Sequence, residues 1–295
     1  MSSLAETAPA ESADHGDPAT LLASLRAELD GLDDALHDTL MRRAEVVGRI
    51  AALRVKDGPP LRPGREAVIL RRLLARHRGA LPRHGIVRVW RELIAAMTEI
   101  QKPLVIAACS GGDGAALARE QFGALVALRL HESPAQALGE VAEGTAVAAV
   151  LPVPAEDETP ARAWWTGLLH PGRDDRRAYV VAKLPFWVPR PEGAPRGQAL
   201  VVSAAEPDPS GQDRTLLALE MPPDSRRARL ADALAGAGFQ AGTLILRRDA
   251  DARGGATRAL VDVAGFVTAS DPRLAALSSR PAVVGAYAVP LGDMA

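Results

Sequence analysis

The chain has 295 residues, 47% hydrophobic, with 35 Lys+Arg against 36 Asp+Glu. That length predicts two or three ordinary domains, and the near-neutral charge excludes a globally disordered chain or a polybasic nucleic-acid tail. Aromatics at 3% argue against a base-stacking platform; the single cysteine, Cys109, excludes an internal disulfide framework and a multi-Cys metal cage. The longest apolar runs are too short to cross a bilayer. Residues 1–17 hold Glu6, Glu11, Asp14 and Asp17 with no Lys, Arg or apolar h-region. They predict a disordered acidic tail, not a secretory signal, and the whole predicts a cytoplasmic multi-domain protein.

The first structured segment is basic: residues 18–102 carry sixteen Lys+Arg and ten Asp+Glu, a net of +6, whereas the rest beyond 102 is net −3. A basic segment invites a small polyanion or nucleic acid, although most of these arginines fit a solvated helical surface. From Pro18 to about Lys56 no proline interrupts the chain, and Leu22, Leu25, Leu29, Leu32, Leu36, Leu40, Val47 and Ile50 recur at steps of three and four. That is one stripe of a long helix. Its roughly 55 Å, at about 1.5 Å per residue, exceeds a small domain. A partner chain or a long antiparallel neighbour has to bury the stripe.

Two charges interrupt it. Stepping on from Leu40 reaches Arg43, and from Ile50 reaches Arg54; eleven residues make about three turns, so both predict an inward direction. An inward guanidinium is costly unless an anion pairs with it, which leaves a ligand and an internal salt bridge as equal readings. Arg26 lies beside the stripe and can face another helix or subunit.

Gly58-Pro59-Pro60 ends this helix and Pro63-Gly64 opens a second, with Arg65 and Glu66 in its first turn, then Ile69, Leu70, Leu73 and Leu74, and Gly79 as C-cap. Pro82 opens a third, with Ile86, Trp90, Leu93 and Met97 as its stripe and Gln101 as the next seam position. An amide in an interior has to be hydrogen-bonded. Arg43, Arg54, Glu66 and Gln101 therefore predict a buried, polar, anion-seeking pocket.

The segments LRAELDGLDDALHDTLMRRAEVVGRIAALR, REAVILRRL and WRELIAAMTEIQ together resemble the all-helical chorismate mutases. The resemblance implies a three-helix unit that interlocks with a second copy, each pocket borrowing one arginine from its partner. By motif position Arg26 is similar to that borrowed arginine, Arg43 to a carboxylate-binding arginine, and Arg65 and Glu66 to the family's second-helix pair, the Glu near the substrate hydroxyl. Gln101 is similar to the residue that reaches the ether oxygen. Arg54 stands where the family usually has lysine, Arg62 replaces a frequent Asp, and Met97 stands where a small polar residue is common. A planar guanidinium is no conservative substitute for an ammonium, so these departures bear on rate.

The implied reaction rearranges chorismate to prephenate with no nucleophile, metal or cofactor. Fixed arginines clamp the dicarboxylate in its reactive conformer, and a donor aimed at the breaking ether oxygen favours the transition state. One such donor is worth roughly 3–4 kcal/mol. Arg54, Gln101 and Glu66 are the catalytic candidates; Arg26, Arg43, Arg54, Arg65, Glu66 and Gln101 are the substrate-binding ones.

Beyond Pro103, LVIAAC and AVAAVLPV predict buried strands, and AALAREQF and SPAQALGEVAEG predict helices, giving an α/β unit over 103–208. The glycine turn SGGDGAALA lacks the lysine of a phosphate loop and reads better as a tight turn than as an anion cradle. Residues 154–160 and 189–198 predict loops. Over 212–291 the pattern is β-α-β-β-α-β, punctuated at Pro222-Pro223, Gly254-Gly255 and Arg280-Pro281. It resembles an ACT domain, and VDVAGFV and VVGAYAVP are similar to the version on prephenate dehydratases. The fold class is thus multi-domain: an all-α three-helix unit, a small α/β lobe, then an α+β ACT-like domain.

The order resembles bifunctional chorismate mutase–prephenate dehydratases, with the dehydratase part decayed. Ala115 and Ala116 follow Gly114 where hydroxyl and aromatic residues are expected. Pro152-Val153-Pro154 stands for Pro-Ile-Glu-Asn, and Gly197-Gln198-Ala199 for the Thr-Arg-Phe that supplies the catalytic threonine. Dehydratase activity is expected to be absent. An aromatic amino acid is the effector an ACT domain implies; Arg227-Ala228-Arg229-Leu230 and Leu246-Arg247-Arg248-Asp249, in place of the family's motifs, count against it. Two other readings stay open: a same-fold enzyme acting on isochorismate or aminodeoxychorismate, and a non-catalytic regulatory or binding protein of the pathway.

Overall fold

The computed structural model describes residues 17–53, 58–170, 177–249, 256–277, 279 and 281–292. All but the last residue of the acidic tail lie outside these, and so does Arg54. The chain divides between Leu53 and Arg54 into two compact units.

The first unit is one helix, α1, Pro18–Ala52. Pro18 sits at its N1 position, where a missing N–H costs nothing. The expected leucine stripe is present, yet no residue of α1 is buried: Leu22, Leu25, Leu29, Leu32 and Leu36 are each 47–59% exposed. A helix of 35 residues is about 52 Å long, and among the described residues of its own unit nothing buries Leu22 to Leu36.

The second unit begins with α2, Pro63–Arg76, and α3, Arg83–Glu99. In α2 the buried positions are Pro63, Gly64, Ala67, Leu70 and Leu74, so the expected stripe is buried at Leu70 and Leu74 and half-buried at Ile69 and Leu73. In α3 they are Val87, Arg91, Ala95, Met97 and Thr98. Of the expected α3 stripe Met97 is buried, whereas Ile86, Trp90 and Leu93 are only half covered. The reason is tertiary: Ala67, Leu70, Leu74 and Val87 form one cluster with Phe186, Ala288 and Leu291 from the sheet that follows. Arg71 fastens α2 further. Its two terminal nitrogens donate to Ser210 Oγ at 2.9 Å, Ser210 O at 3.1 Å, Gln212 O at 3.2 Å and Val289 O at 2.9 Å.

The sheet follows in the order β1 Val105–Cys109, α4 Gly114–Phe122, β2 Ala127–His131, α5 Pro134–Glu143, β3 Ala148–Pro152, β4 Tyr179–Leu184, β5 Ala199–Ser203, β6 Asp213–Met221, α6 Arg227–Gly236, β7 Ala241–Asp249, β8 Ala256–Ala264 and β9 Ala282–Ala288. The α5 helix opens with a capping box between Ser133 and Gln136. The β6–β9 segment keeps the expected β-α-β-β-α-β order, with a short 3₁₀ turn, Pro272–Ala276, in place of its second helix.

Among the described residues, all nine strands belong to one sheet, ordered β2-β1-β3-β5-β4-β9-β6-β8-β7. Two parts read from the sequence as consecutive modules are therefore continuous through β4 and β9. The join is narrow, with Val180 opposite Gly285. β6 is apolar on both faces because both are covered. Leu217 and Leu219 meet Leu230 and Leu234 of α6, whereas Leu216 and Ala218 share a cluster with Trp164, Trp165, Ala149 and Val202.

Gly285 permits the join. A Cβ there would lie 2.3 Å from Val180 O and 2.5 Å from Val180 N, so any side chain forces the strands apart. Gly285→Ala is expected to lose about 2–3 kcal/mol, read as a lower urea midpoint by far-UV circular dichroism. A midpoint within error of the parent would remove this role.

Candidate functional site

The candidate residues fall in both units. On α1, Arg26 is exposed and Arg43 half-buried. Seventeen residues along a helix separate them by about 25 Å. Arg54 lies outside the described residues.

In the second unit the site grows from the start of α2. Its first turn leaves N–H groups that need acceptors, and Asp208, from the segment leading to β6, supplies them. Gly64 N donates to Oδ1 at 3.0 Å and Arg65 N donates to Oδ2 at 2.8 Å. The approach is close enough to require glycine, since a Cβ on Gly64 would meet Asp208 O at 2.0 Å. The carboxylate also complements the positive end of the helix dipole.

This anchoring sends the neighbouring side chains opposite ways. Arg65 is exposed, whereas Glu66 turns inward and accepts a hydrogen bond from Arg91 Nη1 of α3 at 2.6 Å. The pair is nearly dry, with the Arg91 side chain 5% and the Glu66 side chain 12% exposed. Arg91 also lies over the Phe186 ring, 4.7 Å from its centroid. Burial raises the Glu66 carboxyl above its ordinary range, and Arg91 only partly offsets this. Burial likewise lowers the Arg91 guanidinium, against the pull of Glu66. Desolvation outweighs pairing for both.

The stability consequence has a definite sign. A carboxyl with a raised native pKa holds its proton more tightly when folded, so its contribution is fully present below the unfolded value near 4.5 and fades as pH rises through the native one. Unfolding free energies of the parent minus those of Glu66→Gln are expected to fall steadily from pH 4.5 toward neutrality. A pH-independent or rising difference would contradict the assignment.

Gln101 lies in the turn after α3, exposed, with Nε2 donating to Met97 O at 3.4 Å. The seam it would extend is the half-covered face of α3. Within the second unit, Arg65 and Glu66 are thus adjacent in chain but divergent in direction, and Gln101 faces outward. Arg91 was missed in the sequence because it sits one position beyond Trp90 of the expected seam; its spacing from Val87 and Ala95 was the available signal.

In the glycine turn before α4, Asp113 precedes the helix, and its carboxylate accepts the backbone N–H of Gly197 at 2.6 Å. Gly197 thereby lies against the turn. Among the described residues, no group of three His, Cys, Asp or Glu side chains is placed to hold a metal ion, and no helix is long and apolar enough to cross a membrane.

Residues 25–102 match the family model for chorismate mutase type II. This bears out the resemblance read from the three helical motifs. Two similar curated relatives are bifunctional chorismate mutase/prephenate dehydratases. The one from Stutzerimonas stutzeri is 26% identical over 140 residues, 45% of this chain and 38% of its own length. The one from Pseudomonas aeruginosa is 29% identical over 141 residues, again 45% and 38%. The chain therefore covers well under half of either relative. A solved prephenate dehydratase from Streptococcus mutans aligns with 64% of this chain and 99% of its own, at 18% identity and a TM-score of 0.46.

Proposed function

We propose that the protein is a chorismate mutase whose helical segment, residues 18–102, acts as an interlocked homodimer, carrying a C-terminal extension without dehydratase activity. The observation that carries the reading is the family match over residues 25–102, which spans every candidate residue. The structure supports it at two points. The leucine face of α1 is exposed from Leu22 to Leu36, which a second α1 would bury. Arg26 and Arg43 are about 25 Å apart along one rigid helix, farther than any small dicarboxylate reaches. Arg26 therefore serves the partner's pocket while Arg43 serves its own.

In this reading the arginines clamp the two carboxylates of chorismate and exclude its extended conformers. Gln101, brought inside by the partner's helix, donates to the ether oxygen, and Arg54 adds positive charge as the bond breaks. Glu66, with its raised carboxyl, is available as a hydrogen-bond donor or acceptor to the substrate hydroxyl. No residue forms a covalent intermediate.

The C-terminal part is proposed to be an ACT-like domain, on the β9-β6-β8-β7 order with α6 and a 3₁₀ turn on one face. Loss of dehydratase activity is supported by Gly197, whose N–H donates to Asp113 beside the glycine turn and which brings no hydroxyl.

The experiment is a chorismate-disappearance assay on the purified chain with prephenate identified as product, repeated for Gln101→Ala. Turnover that collapses about 100-fold in the variant supports the reading; no turnover above the spontaneous rate overturns it. A second reading, a non-catalytic binding protein of the pathway, is favoured by one observation: Glu66 is already engaged by Arg91. Tight binding of chorismate without turnover would select it.

A further inference from the structure

Behind the Glu66–Arg91 pair lies a cavity of about 330 Å³ bounded by α3, α4 and the segment after β4. That volume is at the lower end of the roughly 300–1,000 Å³ of small-molecule sites. Its walls are apolar, with Val87, Leu117, Leu184 and Phe186 buried and Trp187 half-buried. Arg91 is part of the wall, so the one guanidinium that holds Glu66 also borders this space.

The charges are unevenly satisfied. Arg190 is taken up by Glu120 in a two-pronged pair, at 2.7 Å and 2.5 Å. Arg88, at the mouth, is exposed and makes no ion pair among the described residues. Glu192, also in the lining, is exposed and equally without an ion pair among them. A flat apolar body is favoured by the walls, a negative group by Arg88 and Arg91, and a second negative group is disfavoured by Glu192.

We propose that this cavity binds a small aromatic monocarboxylate, its ring against Phe186 and Trp187 and its carboxylate toward Arg88 and Arg91, in competition with Glu66 for Arg91. None of the proposed mutase residues lines the cavity, although Glu66 bonds to Arg91 in its wall, and binding alone tests the site, whether or not the chain turns over chorismate. Because Arg91 is shared, occupancy and the Glu66–Arg91 bond oppose each other, and by linkage each weakens the other equally.

The test is a ¹⁹F NMR titration of the full chain with 4-fluorophenylacetate, with 4-fluorophenylacetamide as the uncharged control. A saturable shift is expected for the carboxylate, with the amide about ten-fold weaker or more, since each charge-assisted hydrogen bond contributes on that scale. Arg88→Gln is expected to weaken the carboxylate several-fold, whereas Glu66→Gln, which removes the competing charge, is expected to tighten it several-fold. No saturable shift, equal binding of the amide, or unchanged affinity in Arg88→Gln overturns the site. Unchanged affinity in Glu66→Gln overturns the competition.

Discussion

Replacing Arg91 with methionine is expected to destabilise the folded chain by about 4 kcal/mol at pH 7.5. The size follows from what is left behind. Glu66 would remain in a nearly dry setting without its 2.6 Å partner, and an isolated buried carboxylate takes up a proton to avoid the desolvation penalty. Holding that proton at pH 7.5, starting from an unfolded value near 4.5, costs about 1.4 kcal/mol per pH unit. Lost contact with the Phe186 ring adds to this. Two conditions should restore most of the loss: acidification to pH 4.5, where protonation is nearly free, and the double variant Arg91→Met/Glu66→Gln. Chemical denaturation of the three proteins at both pH values checks it. A penalty that is the same at both, or that survives in the double variant, would show that Arg91 stabilises by packing and not by charge.

Mixing two inactive variants is expected to regenerate activity. If Arg26 acts across the dimer and Arg43 within its own chain, Arg26→Ala and Arg43→Ala each spoil both pockets of a homodimer. Each should lose about 100-fold or more in turnover, the scale for removing a charged group from a desolvated site. A heterodimer of the two contains one pocket with both changes and one with neither. Statistical mixing makes half of the dimers heterodimers, so co-refolding should recover roughly a quarter of the parent rate. The uncovered leucine face of α1 supplies the surface along which the chains would exchange. Recovery is read from initial rates of chorismate loss against each variant refolded alone. Parent-like activity in both single variants, or no recovery from two inactive ones, removes the shared pocket.

The legible features were those carried by local pattern. The three-and-four spacing of Leu22 to Leu36 specified α1, and Pro63-Gly64 and Pro82 marked where α2 and α3 begin. The punctuation of 212–291 matched the order of β6 to β9. Illegible were the pairings between distant residues. Nothing near Glu66 announces Arg91, 25 residues on. Asp208 reaches α2 across 143 and 144 residues, and Val180 meets Gly285 across a whole intervening module. The buried face of α3 was misjudged in part for the same reason. Of the more apolar stripe only Met97 is buried, and Val87, Arg91 and Ala95 are buried in place of Ile86, Trp90 and Leu93. Periodicity reports that a face is apolar without naming its neighbour.

The narrow join between β4 and β9 constrains how copies of this chain can meet. A β-sheet lengthens only by recruiting backbone at an unpaired flank, and β9 spends on β4 the side it would otherwise offer to a twin. What stays open is Ala127–His131 at one extremity and Ala241–Asp249 at the other. Side-by-side growth through the C-terminal half is thereby confined to a single strand, so two copies joined there have used up that half's free edge.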